Sequence, residues 1–262
     1  MKTTLLFLSV FSSANLFGQN VYIPDANFKA LLVGNSDINT NGDTEIQVSE
    51  ANSFNGAIDC EGLNISDLTG VETFSALTEL YCVGNQLTSL DVSQNTALSY
   101  LECFGNQLTS LDVSQNTLLN LLFCDDNLLT SLDVSQNTAL VEFGCSYNEL
   151  TCLDVSNGNN INVFTFYAVG NPNLTCIEVD DAEYSSDDFY WTAGIDSQMY
   201  FSEDCNYPEN CDDSSVGLTE LTSSKNLIQI LDLMGRETSF KPNTPLIYVY
   251  DDGSTEKVFT IE

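Results

Sequence analysis

A step of 21 residues runs through the middle of this 262-residue chain. Leu77, Leu98, Leu119, Leu140 and Ile161 keep it, as do Leu80, Leu101, Leu122, Phe143 and Phe164. Cys82, Cys103, Cys124 and Cys145 share it, followed by Asn85, Asn106, Asn127 and Asn148, then Leu87, Leu108, Leu129 and Leu150. A second block, Leu-Asp-Val-Ser, recurs from Leu90, Leu111, Leu132 and Leu153. So many registered positions point to stacked copies of one supersecondary unit. Such a unit cannot bury its apolar side alone.

The pattern L-x-x-L-x-C-x-x-N-x-L resembles a leucine-rich repeat. A looser copy precedes the run (Ile58, Cys60, Leu63, Ile65), and a degenerate one follows from Ile161 to Val179. Leu150 and Leu174 are 24 apart, so the last copy carries three extra residues. The expected fold is mostly β, a right-handed solenoid with a parallel sheet, a small helical N-terminal cap and a small antiparallel C-terminal domain. In Leu80-Tyr81-Cys82 the outer two side chains should point inward and the middle one outward. Asn85 and its counterparts fall where the chain turns and can satisfy backbone groups there. The Leu90 and Val92 alternation predicts a second short extended face and little helix.

The chain has 38 acids, 6 bases and no histidine, a net charge of −32. Between Ala30 and Ser224 there is no Lys or Arg, although 31 of the acids fall there, so that stretch cannot form an internal salt bridge. Nucleic acid and anionic membrane surfaces are excluded as electrostatic partners, because both require clustered bases. Without histidine the usual neutral-pH general base is missing. A carboxylate-driven glycoside hydrolase is the remote enzymatic alternative, and no carboxylate pair stands apart from the repeat acids. Catalysis is not expected.

Residues 1–18 read as a secretory signal peptide: Lys2, the apolar run Leu5 to Phe11, then small residues. No segment is long and apolar enough to span a bilayer. Residues 19–56 form a cap, 57–180 the repeats, 181–216 a C-terminal cap and linker, and 217–262 a separate C-terminal piece. The cap segment Asn39 to Glu50 is similar to an EF-hand calcium loop. Its candidate ligands are Asn39, Asn41, Asp43, Glu45 and Glu50, with Thr44 standing where glycine is usual. Calcium is the one cofactor this loop would imply. Asp91, Asp112, Asp133, Asp154 and Glu178 form an outward row of acids, a solvated face in the simplest reading.

Of nine cysteines, Cys60, Cys82, Cys103, Cys124 and Cys145 share the inward position and read as a ladder of buried thiols. Cys152, Cys176, Cys205 and Cys211 break it and are expected to form bridges sealing the last coil. The pairing leans to Cys152–Cys176 and Cys205–Cys211. The aromatic-rich stretch Ala182 to Cys205 should cover the open end.

Outward strand positions form the expected contact face: Tyr81, Val83, Tyr100, Phe104, Leu121, Phe123, Val163 and Tyr167, interleaved with Glu79, Glu102, Asp125 and Glu142. The ligand-binding candidates among them are Tyr81, Tyr100, Glu102, Phe104, Phe123, Asp125 and Tyr167. The expected partner is an extracellular protein or glycan. A spacer with no discrete ligand is the alternative. Ile23 to Phe28 and Thr69-Gly70-Val71-Glu72 resemble bacterial surface leucine-rich-repeat proteins of the internalin-like kind, which implies adhesion or recognition. Asp232 to Glu237 and Tyr248 to Glu262 look like the C-terminal sorting domain of the type IX secretion system of Bacteroidota. That resemblance implies outer-membrane secretion machinery as a partner and a secreted or cell-surface location.

Overall fold

The computed structural model describes residues 19–207, 227–231, 238, 246–250 and 255–258. The proposed leader, Cys211, Asp232 to Glu237 and the turn Asp251 to Gly253 lie outside the described residues. The chain divides into two compact units, Met1–Ser214 and Ser215–Glu262.

The first unit is a leucine-rich-repeat solenoid. Its main sheet has six parallel strands: β1 (Ala57–Asp59), β2 (Glu79–Tyr81), β3 (Tyr100–Glu102), β4 (Leu121–Phe123), β6 (Glu142–Gly144) and β8 (Thr165–Tyr167). A second parallel sheet holds β5 (Ser131–Asp133), β7 (Cys152–Asp154), β9 (Cys176–Glu178) and β10 (Tyr200–Ser202). The second extended face anticipated from Leu90 and Val92 therefore exists, but as a sheet it begins only at β5. Ile58, Leu80, Leu101, Leu122, Phe143 and Phe166 pair in register and are buried.

The last coil corrects one reading. Phe164 and Ile161 keep the 21-residue step, yet both are exposed, and Phe166 fills the core place next to Phe143. Two of the extra residues precede the strand, so the step there is 23, and Val163 takes the inward place of Leu140. Both follow a buried asparagine by three residues: Leu140 N–H donates to Asn137 and Val163 N–H to Asn160. Burial of a large side chain at the core position outweighs exact spacing.

Asparagines hold the two inner corners. At the first, Asn106 Nδ2 donates to the Cys82 and Cys103 carbonyls, and its Oδ1 accepts from Leu87 N–H. Asn85, Asn127 and Asn148 repeat this arrangement. Asn171 does the same in the last coil, and the residue before each of these five asparagines has a left-handed backbone: Gly84, Gly105, Asp126, Tyr147 and Gly170. At the second corner, Asn95, Asn116 and Asn137 donate to two carbonyls of the preceding coil. The Asn-Thr of each repeat marks this second ladder in the sequence.

At the N-terminal end, α1 (Ala26–Gly34) buries Phe28 and Leu32, one turn apart on the inner face. Asp25 caps it, accepting from Asn27 and Phe28 N–H, and its other oxygen accepts from Ser66 in the first coil. Helix α2 (Val48–Ser53) follows, closed by a capping box between Gln47 and Glu50. At the other end lie α3 (Ala182–Asp187) and α4 (Phe189–Ala193). Trp191 stacks on Phe166 with centroids 4.3 Å apart and meets Phe201 edge-on. These rings cover the last coil, whereas Phe189, Tyr190 and Tyr200 remain exposed.

The observed bridge is Cys176–Cys205, which overturns both favoured pairings. Cys176 opens β9 and Cys205 follows β10, its parallel neighbour, so the bond joins adjacent turns of the coil. Cys152 is also disulfide-bonded.

In the second unit, β11 (Leu227–Leu231) pairs antiparallel with β12 (Leu246–Tyr250), and β12 with β13 (Thr255–Val258). The last strand begins two residues before the expected Lys257.

Candidate binding face

The outer surface of the main sheet is a grid. Strand register places Tyr81, Glu102, Phe123, Gly144 and Tyr167 in one row. Glu79, Tyr100, Leu121, Glu142 and Thr165 form a second. Beyond the strand ends the ladder continues: Gly84 N–H donates to Phe104, Gly105 to Asp125, Asp126 to Ser146 and Tyr147 to Val169. Those bonds align Val83, Phe104, Asp125, Ser146 and Val169 as a third row.

All seven ligand-binding candidates sit on this grid. Tyr100, Phe104 and Tyr167 are exposed, while Tyr81, Glu102, Phe123 and Asp125 are half-buried. Val83 and Leu121, read as outward, are buried, because each lies beside a larger neighbour in its row, Phe104 and Tyr100. Val163 is buried because it belongs to the core.

The electrostatics of the face are one-signed. Tyr81 donates to Glu79 at 2.8 Å, and burial together with that carboxylate pushes its phenol up to about 12. Burial raises Glu102, and the like charges of Glu61 and Glu142 raise it further. Burial also raises Asp125, against the lowering bond it accepts from Ser146 N–H at 2.8 Å. The ion pair among the described residues, Lys29 with Glu45 at 2.7 Å, belongs to the cap. A ligand on this face meets rings and carboxylates.

Gly144 is not legible in the sequence because a glycine at an outward strand position reads only as a weak strand former. It is buried, and a methyl group there would lie 2.6 Å from both Phe123 Cδ1 and Asp125 Oδ2. The missing side chain lets the ring and the carboxylate lie against β6.

The acidic row on the second half of the repeat includes Asp133, Asp154 and Glu178 in register. Beside its early coils a cavity of about 570 Å³ is lined by Asp67, Glu72, Asp91 and Asp112 over Leu68, Val71 and Leu90.

The calcium-like loop is wired to itself. Glu50 Oε1 accepts from the N–H groups of Thr40 and Asn41 and from the Thr40 hydroxyl, and Oε2 accepts from Gln47 N–H. Glu45 pairs with Lys29. Asn39, Asn41 and Asp43 accept from loop N–H groups two or three residues on. Calcium would require 6–8 oxygens converging at about 2.4 Å, whereas here Glu45 turns to Lys29 and Glu50 to the loop N–H groups. No group of three or more acidic or sulfur ligands converges among the described residues.

The five ladder cysteines are buried and unbridged, each placed inward as expected. Burial pushes the Cys60 and Cys103 thiols up to about 12 and raises Cys82, Cys124 and Cys145 as well. Among the described residues no helix is long and apolar enough to cross a membrane.

These features define an internalin-like leucine-rich-repeat fold. Internalin J of Listeria monocytogenes serotype 4b (strain F2365) is 41% identical over 78 residues, 29% of this chain and 8% of that protein. A solved structure of the functional domain of InlJ from Listeria monocytogenes, which includes a cysteine ladder, is 35% identical with a TM-score of 0.51. It covers 62% of this chain, and this chain covers 38% of it. A structure of internalin InlF from L. monocytogenes str. 4b F2365 is 15% identical over 72% of this chain and 59% of its own, with a TM-score of 0.45. The chain thus spans well under half the length of the two InlJ matches. No protein-family model matches it.

Proposed function

We propose that this chain is an exported, non-catalytic recognition protein that binds an extracellular protein or glycan through the outer face of its main sheet. The carrying observation is the placement of Tyr81, Tyr100, Phe104, Phe123 and Tyr167 on one registered surface, none with its ring in the core. Exposed aromatics in a contiguous patch supply the anchors that dominate interface energetics. The similarity to internalins supports the same reading. The antiparallel C-terminal unit, with its resemblance to type IX sorting domains, would serve export through outer-membrane machinery.

The test is a screen of extracellular proteins and glycans, followed by Tyr100→Ala with Phe123→Ala. Both side chains point away from the core, so the double variant should keep its melting temperature and lose binding. A ligand that ignores both changes refutes the reading. A screen with no hits favours the spacer alternative.

A further inference from the structure

The geometry points to a subsite for an arginine side chain at Asp125, Phe123 and Gly144. The inference rests on the face being a binding surface and adds the chemistry of the group it holds. Three observations carry it. First, Asp125 is fixed: Oδ1 accepts from Ser146 N–H at 2.8 Å, and Oδ2 lies over Gly144, where a methyl group would be 2.6 Å away. Second, the Phe123 ring shares that notch, with Cδ1 also 2.6 Å from the same methyl position. A half-buried carboxylate and an aromatic ring thus meet at the one place in the Tyr81–Tyr167 row that has no side chain. Third, the other charged groups on these rows are Glu79, Glu102 and Glu142, with Asp126 next along the chain, all acids, and no base lies between Ala30 and Ser224 to neutralise them.

A guanidinium fits this arrangement better than an ammonium. It is planar, so it can stack on Phe123, and its N–H fork can meet the carboxylate of Asp125. A charge-assisted bond in a half-buried setting is stronger than one in open water. Phe104, next to Asp125 in its row, adds an apolar wall. The occupant is an arginine on a basic protein ligand.

The probe is acetyl-Gly-Arg-Gly-amide, titrated into the isotope-labelled full chain at physiological salt and followed by amide chemical shifts. Saturable shifts are expected at Phe123, Asp125 and Gly144, and none with the citrulline analogue. Asp125→Asn keeps the Ser146 bond but removes the charge and should weaken binding about tenfold or more, the effect of one lost charge-assisted bond. Gly144→Ala should do the same by displacing the ring and the carboxylate. Asp91→Asn, on the other half of the repeat, should leave binding unchanged.

Equal affinity in Asp125→Asn, shifts spread over Asp91 and its neighbours, or no shift at millimolar peptide each overturns the subsite. So does binding of a chitosan trimer without binding of the peptide, since that would assign the face to cationic sugar. The two readings separate cleanly. A screened ligand that needs Tyr100 and Phe123 yet ignores Asp125→Asn leaves the face standing and removes the subsite. A ligand indifferent to all three removes both.

Discussion

Asn106 ties its coil to the one before: its Nδ2 donates to the Cys82 carbonyl at 2.9 Å, across 24 residues of sequence. The same amide donates to Cys103 at 3.0 Å and accepts from Leu87 N–H at 3.1 Å. All three of these bonds are buried. Asn106→Ala should therefore cost roughly 2–4 kcal/mol, since each orphaned buried group costs about 1–3 kcal/mol and the losses are not additive. Denaturant unfolding checks this. A loss below about 1 kcal/mol would mean the corner relaxes to pair its carbonyls elsewhere.

The ladder thiols should be chemically silent in the folded protein. A thiolate is the reactive species, and burial keeps Cys60, Cys82, Cys103, Cys124 and Cys145 protonated at neutral pH. Iodoacetamide followed by peptide mass spectrometry should find these five unmodified without denaturant and modified with it. Labelling of any one in the native state would show that its coil opens locally.

The repeats were legible in the sequence because large apolar residues, cysteine and asparagine each recur at fixed buried positions over four copies. Leu80, Cys82 and Asn85 announce strand, core and corner. The last coil was misread because its spacing alone points to Phe164, whereas packing against Phe143 and Trp191 selects Phe166. The disulfide was not legible, since Cys176 and Cys205 are 29 residues apart and become neighbours only through pairing of β9 with β10. On the candidate face, the outward placement of Phe123 and Asp125 is readable from alternation. Gly144 is not, because its contribution is an empty volume that only three-dimensional neighbours define.

Glu50 organises the cap loop through the hydrogen bonds it accepts, and we propose that the loop needs no metal ion to do so. Its two oxygens gather Thr40, Asn41 and Gln47. Millimolar calcium and excess chelator should both leave the melting temperature unmoved. Glu50→Gln should lower stability by about 2–4 kcal/mol, because an amide cannot accept all of these bonds and hydrogen bonds to a charged group are each worth about 1.5–3 kcal/mol. A calcium-dependent rise in melting temperature that Glu50→Gln abolishes would reverse this account.

Stability should pass through a maximum as the pH falls from neutral. Burial raises Glu102, Asp125 and Glu178 in the folded state. The folded chain therefore binds protons before the unfolded one does, and acidification through those raised values stabilises it. Asp25 and Glu50 behave oppositely. Burial works to raise both, but hydrogen bonds from Ser66, Phe28 and Asn27 to Asp25, and from Gln47, Thr40 and Asn41 to Glu50, outweigh it and lower them. Their stabilisation is present above the unfolded carboxylate value and is lost as the pH falls through the depressed folded values. Relief of the burial penalty on these carboxylates thus comes first and loss of the N-terminal cap second. Denaturant midpoints measured from neutral to strongly acidic pH should rise and then fall. Asp125→Asn should flatten the rise and Glu50→Gln the fall. A midpoint that declines steadily from neutral pH in the unsubstituted chain would show that the face acids are solvated like ordinary surface carboxylates.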